Sequence, residues 1–282
     1  MKYRHACHAG NFADVVKHVV LVATLARLVR KERALFYLDT HAGRARYDLR
    51  SRDTAAEAAH GILRLAAADL RQLPLPVQSY LALIRGFAPE NAGLLRWYPG
   101  SPCIAAALLR PGDRAAFCDV EPSAAALLER EFRGDARIGV HCRDGIEALG
   151  ALLPPPERRG LVLIDPPYEQ QEADLERVAD ALATTAGRWP EGVLLAWYPI
   201  KLAAVIARFH RRLLGTGLRR VLAVELCVHP DDSRAGLNGS GMLLINPPWQ
   251  LDEDLRATLP ALHRLLASDS AGRWRVDWLA GE

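Results

Sequence analysis

The run Leu161-Val-Leu-Ile-Asp165-Pro166-Pro167-Tyr168 constrains this chain more than any other stretch. Four consecutive apolar residues after Gly160 predict a strand buried on both faces. The strand stops on a carboxylate, two prolines and an aromatic ring. The first proline pushes Asp165 towards extended geometry, and neither proline can donate to a sheet ladder. Asp165 and Tyr168 are therefore expected on a stiff turn at the strand's carboxyl edge, where open α/β sheets bind ligands.

Such a turn suits chemistry at an exocyclic amine of a planar base. The amine lone pair is delocalised into the ring, so the nitrogen is a poor nucleophile. The Asp165 carboxylate and the Pro166 backbone carbonyl can accept hydrogen bonds from both N–H groups, which favours a pyramidal nitrogen and removes the proton after attack. The Tyr168 ring offers a stacking face for an unpaired base. The run resembles the Asp-Pro-Pro-Tyr motif of amino-directed N-methyltransferases that use S-adenosylmethionine. The competing reading is a proline-rich turn that merely closes a core strand.

The remaining strands are expected to flank this one. A helix is predicted over about 13–30, starting near Asn11 or Asp14 and burying Val15, Val16, Val19, Val20 and Leu21. Ala34 to Leu38 reads as the first strand and runs into Asp39-Thr-His-Ala-Gly43. Between Tyr47 and Pro99 the pattern is helical (about 54–68 and 76–87), with no strong strand. Ser101 is expected to cap the next helix, with Pro102 at its first position. Strand and helix then alternate: 115–118, 137–142, 161–165 and 192–197 as strands, each followed by a helix. Segments 221–228 and 241–245 lack a helix between them, and a last helix (251–267) precedes a short strand-like tail. Alternation predicts a doubly wound parallel sheet, seven strands with the last antiparallel.

At the strand ends, Asp39-Thr-His-Ala-Gly43 offers a single glycine turn rather than the G-x-G-x-x-G that a pyrophosphate needs, which suits a cofactor without phosphates. Asp119 and Glu121 both stand where an acid can hold ribose hydroxyls, and Asp144-Gly145 can hold an adenine. Each acid alone reads more often as a helix cap or solvated loop, and the signal lies in successive strands ending in Gly, acid, Asp-Gly and Asp-Pro-Pro-Tyr. His5, His8, His18 and His41 lack metal-ligand spacing, so no metal is expected. Lys17-His18 is expected to face the cofactor's methionine end. A second run, Asn246-Pro247-Pro248-Trp249, also follows a strand, but too little chain follows it for a permuted cofactor half, so it reads as a terminating turn with Trp249 as packing.

Five cysteines in no paired spacing, two of them in apolar runs, exclude a disulfide framework or zinc site and point to a reduced compartment. The polar amino terminus carries no signal-type apolar core, and no stretch is long and apolar enough to span a membrane, so a cytoplasmic protein is expected. Net charge of +3 is a mild lean towards polyanions.

Together, Tyr3-Arg-His5, His8-Ala-Gly-Asn11, Ala13-Asp14 with Lys17-His18, Leu38 to Gly43, Tyr98-Pro-Gly-Ser-Pro102, Arg159 to Tyr168, Trp197-Tyr-Pro199 and Ser240 to Trp249 resemble one family along nearly the whole chain. That family is the bacterial large-subunit ribosomal RNA adenine-N6 methyltransferase J group. The resemblance implies a Rossmann-like class I S-adenosylmethionine-dependent fold, with catalytic parts 1–46 and 99–282 and a helical insertion at 47–98. It implies a monomeric enzyme methylating one adenine of 23S rRNA, of the A2030 type. By the same resemblance Asp165 is the acceptor, with Pro166 and Tyr168 beside it. His18, His41, Gly43, Ser101, Asp119, Asp144, Gly145 and Asp165 surround the cofactor, and Tyr3 meets the RNA. Arg4, His5 and Lys17 are expected at the RNA with it, continued by Arg44 and Arg46. The chain departs from the family pattern at Arg44-Ala45 and at Glu121, and the resemblance favours Asp119 for the ribose. Rival readings are an amino-methyltransferase of DNA adenine or protein glutamine, and a non-catalytic RNA-binding module on the same fold.

Overall fold

The computed structural model describes residues 8–52, 54–231, 233–234, 236–267 and 272–281. Its elements run α1 (Phe12–Leu28), β1 (Phe36–Asp39), β2 (Arg46–Asp48), α2 (Ala55–Ala59), α3 (Ile62–Ala66), α4 (Leu75–Gly86), β3 (Trp97–Pro99) and α5 (Ser101–Leu108). Then come β4 (Arg114–Asp119), α6 (Pro122–Glu131), β5 (Ile138–Cys142), α7 (Gly145–Leu152), β6 (Gly160–Ile164), α8 (Gln171–Arg188) and β7 (Val193–Ile200). The chain closes with α9 (Ala203–Gly215), β8 (Val221–Cys227), β9 (Gly239–Ile245), α10 (Leu251–Leu266) and β10 (Arg273–Ala280).

One sheet organises these elements, in the order β5-β4-β1-β6-β7-β9-β8-β10. The five strands from β5 to β7 are mutually parallel, and β9 lies antiparallel between β7 and β8. This is the class I methyltransferase arrangement. Its central strands read as unbroken apolar runs because both faces are covered. Tyr37, Phe117, Leu161 and Leu163 pack into one core with α1, α4, α5 and α10. Leu38, Cys118, Val162 and Ile164 pack into the other with α7, α8 and α9. α1 is apolar nearly all round because it is enclosed by α4, α5, α10 and β9.

Four expectations about the secondary-structure elements need correction. The sheet has eight strands, not seven: the tail is a full strand, antiparallel to β8. Its Arg-Trp-Arg-Val-Asp-Trp pattern hides that role, since its arginines are buried-charge partners. Arg273 and Arg275 close on the fully buried Glu225 of β8, which also takes the Tyr198 hydroxyl at 2.7 Å. Between Tyr47 and Pro99 the expected absence of strands fails at both ends, because β2 and β3 form an antiparallel ribbon. The predicted 54–68 helix is two short helices, broken at His60–Gly61. The α5 cap is Gly100, and Ser101 is the first residue of the helix itself.

The Asn246 turn lies away from the carboxyl edge of the parallel strands. β9 is antiparallel to β7, so Ile245 pairs with Leu194 at the start of β7. Asn246 sits at φ +53° with its amide on the carbonyls of Pro190 and Gly192. Trp249 is 81% exposed, which corrects its expected packing role. The helix after it turns away and takes Leu251 into the core instead.

Candidate active site

The parallel strands β5, β4, β1 and β6 all end at one edge, and their loops are laced together there. Thr40 N–H donates to the Leu163 carbonyl at 3.0 Å, Ala42 N–H to Cys118 at 2.8 Å and Arg143 N–H to Asp119 at 3.1 Å. Gly43 turns at φ +60°, which a residue without Cβ adopts freely, and donates its N–H to Asp119 Oδ2 at 2.8 Å. At the start of α7, a Cβ on Gly145 would stand 2.0 Å from the Thr40 carbonyl, so only glycine lets these two loops touch. The lacing brings together Asp39, His41, Gly43, Ser101, Asp119, Asp144, Gly145 and Asp165.

Beneath them α1 delivers Lys17. Its Nζ lies 2.5 Å from Asp165 Oδ2 and 2.8 Å from Asp14 Oδ1, with the lysine side chain only 4% exposed. Burial works against this charge, but the two carboxylates outweigh it and hold the ammonium's pKa well above its ordinary value. Lys17 is thus not a surface contact for RNA, as expected from sequence, but the partner that fixes the Asp165 carboxylate. The ammonium also stands 5.9 Å from the centre of the half-buried Trp197 ring.

Asp39 ends β1 with no exposure at all. Its Oδ2 accepts the Tyr37 hydroxyl at 3.0 Å, while Oδ1 is buried with no hydrogen-bond donor among the described residues. Burial pushes its carboxyl up to about 6, the Ser101 and Tyr37 hydroxyls opposing and the Asp165 charge adding. Asp119 uses one oxygen for Gly43 and the other for the Glu121 N–H at 2.9 Å, whereas Glu121 itself is exposed. Asp144 caps α7, its Oδ1 accepting from Ile146 and Glu147, which leaves Oδ2 for a ligand. Thr40 spends its hydroxyl proton on the Leu163 carbonyl, so it accepts from His41 Nδ1 at 2.8 Å and leaves Nε2 as an acceptor. Burial lowers the His41 pKa, against the pull of the Asp165, Asp119 and Asp144 carboxylates.

Two expected residues stand differently. His18 is buried behind the edge, its Nδ1 2.8 Å from the Tyr98 hydroxyl and its ring stacked on Tyr98 at 5.5 Å. The Tyr168 ring, expected as an open stacking face, is 4% exposed. At φ +50° the turn folds it inward, where its hydroxyl bonds to the Trp197 carbonyl and its ring meets the Trp197 ring at 5.6 Å. Tyr168 is therefore part of the wall. Tyr3, Arg4 and His5 lie outside the described residues.

Residues 32–280 match the family described as ribosomal RNA large subunit methyltransferase D, RlmJ. Over their whole lengths, the chain is 42% identical to the ribosomal RNA large subunit methyltransferase J of Haemophilus influenzae and 41% identical to that of Escherichia coli. A crystal structure from Legionella pneumophila, 32% identical, superposes with a TM-score of 0.88 over 96% of this chain and 98% of that one. The chain belongs to the RlmJ family. It is a methyltransferase that uses S-adenosylmethionine and acts in ribosomal RNA modification.

The residues at the edge fit that cofactor. S-adenosylmethionine carries a sulfonium and an ammonium, and an orphaned buried carboxylate oxygen such as Asp39 Oδ1 is completed by a cationic group. In the sequence Asp39 stands out only as part of the Asp39-Thr-His-Ala-Gly43 motif. The signal that singles out Asp119, Asp144 and Asp165, an acid ending an apolar strand, applies to it equally. Asp14 and Trp197 had no comparable signal, because their places in the site come from Lys17, which approaches from another element.

Proposed function

We propose that this RlmJ-family enzyme methylates the N6 amine of one adenine in 23S ribosomal RNA, of the A2030 type, with Asp165 as the acceptor. The observation that carries the reading is the Asp165 carboxylate held on a proline-stiffened turn by the buried Lys17, beside a carboxylate-lined edge. When bound, the cofactor supplies an electrophilic methyl group. Lys17 occupies Oδ2, so Oδ1 is the atom that takes the amine hydrogen and afterwards its proton, with the Pro166 carbonyl accepting the second N–H. Asp119 holds the ribose, the free Asp144 oxygen the adenine amine, and Gly43, His41 and Ser101 complete the cofactor contacts, with His18 behind them. Tyr3, Arg4 and His5 meet the RNA.

We assign residues 1–46 and 99–282 to the catalytic domain and 47–98 to a helical insertion joined at the β2–β3 ribbon. The enzyme is taken to act as a monomer in the cytoplasm. No helix among the described residues is long and apolar enough to cross a membrane.

The test is single-turnover transfer of labelled methyl to a 23S rRNA fragment, followed by nucleoside mass spectrometry. N6-methyladenosine at one position supports the reading. Label on DNA adenine or protein glutamine, with none on the RNA, overturns it.

A further inference from the structure

The β2–β3 ribbon has two unlike faces. Its register sets Tyr47 opposite Tyr98 and Asp48 opposite Trp97. Tyr47 and Tyr98 turn inward and are buried, and the Tyr98 hydroxyl reaches both His18 and Tyr80, at 2.8 and 2.9 Å. The inner face is thereby keyed to the helix that carries Lys17. Strand alternation sends Arg46 and Trp97 to the other face.

There the Trp97 ring lies near two guanidinium groups, Arg96 at 5.0 Å and Arg46 at 5.7 Å, and Arg46 also stands 5.1 Å from the Phe87 ring. The Arg96 and Arg46 side chains keep 39% and 40% of their surface in water, so the stack is not a sealed core feature. Arg46 pairs with Glu131 at 2.7 Å, but Arg96 meets Asp48 only at 3.5 Å. The segment from Gly43 to Arg52 carries arginines at 44, 46, 50 and 52 against the single acid Asp48, and Arg44 and Arg50 are exposed. A cation–π stack alone would account for stiffening the ribbon. It does not call for the further exposed arginines that flank the strand at 44 and 50, the first of them beside the Gly43 turn at the site's rim.

We propose that this outer face is a contact surface for single-stranded RNA flanking the target nucleotide. Arg46 and Arg96 take phosphates through their forked donors, and Trp97 gives an unpaired base a stacking face already bordered by guanidinium planes. The inference rests on the RNA substrate proposed above, and it places a second contact beyond the reacting base.

The test uses the full chain and a fluorescent single-stranded rRNA fragment, with anisotropy read over a range of salt concentrations. Arg96→Gln is expected to weaken binding several-fold and to reduce the slope of log affinity against log salt by about 0.7, one phosphate contact on a single strand. Trp97→Ala is expected to weaken it roughly 5- to 100-fold, the scale of one lost base stack, and Trp97→Phe to restore most of that. Cofactor affinity by calorimetry and the Arg96→Gln melting temperature should match wild type. RNA affinity and salt slope unchanged in Arg96→Gln, with wild type active on the RNA, overturn this inference alone. A wild type with neither RNA binding nor RNA methylation overturns the substrate reading with it.

Discussion

Replacing Lys17 by methionine isolates the central electrostatic feature of the site. Methionine keeps most of the stem and removes the ammonium. Lys17 Nζ stands 2.8 Å from one carboxylate and 2.5 Å from the other, with the Asp14 and Asp165 side chains 5% and 12% exposed. Without it, two buried acids face one another across the space it filled. Removing one partner of a buried pair costs about 3–5 kcal/mol, mostly from the charge left behind. For a domain of this size that is a fall in Tm of roughly 6–20 °C. The loss should shrink as pH is lowered, because protonating an unpaired carboxylate removes the penalty. In wild type the sign is opposite: the lysine pKa is raised, so its contribution is fully present below its ordinary value and is lost only as pH rises through the raised one. Adding Asp165→Asn to Lys17→Met should recover part of the lost stability. Thermal melts between pH 4 and 8, on both single variants and the double, measure all of this. A Lys17→Met protein melting within about 2 °C of wild type at neutral pH would refute the buried triad.

Asp165→Ala should lower the single-turnover rate by about 10²–10⁴-fold, the contribution of a positioned base, with cofactor binding largely kept. A rate within threefold of wild type (about 0.7 kcal/mol) would remove Asp165 from the chemistry. Asp119→Ala should weaken S-adenosylmethionine about tenfold or more by calorimetry, on the scale of a charged hydrogen bond; loss in Glu121→Ala instead would reassign the ribose. Asp39→Asn should raise the cofactor-free Tm at neutral pH while weakening the cofactor. A carboxyl raised from 3.8 to about 6 costs nothing below pH 4 and its full penalty, about 3 kcal/mol, above pH 6, so the gain should vanish in acid. Asn246→Ala should methylate normally, its turn being remote from Asp165; a folded but inactive variant would show otherwise.

Much of the site is legible because it is local. An apolar run of four or five residues covered by helices on both sides must end at a sheet edge, and whatever polar residue follows stands at that edge. Asp119, Asp144 and Asp165 could be placed from that pattern alone, together with the alternation that builds the parallel half of the sheet.

What tertiary structure decided are the pairings across distance. Lys17 and Asp165 are 148 residues apart, and nothing in the periodicity of α1 marks one of its polar positions as a buried counter-ion. The turn at Tyr168 could be foreseen, but not that its left-handed backbone would carry the ring inward onto Trp197. β10 alternates charge with tryptophan and reads only as a short strand-like tail; its place in the sheet comes from β8, whose buried Glu225 supplies the partner for its arginines. Periodicity reports which side of an element is buried. It cannot report what lies on the far side of the contact, and for a buried charge that neighbour sets the energy.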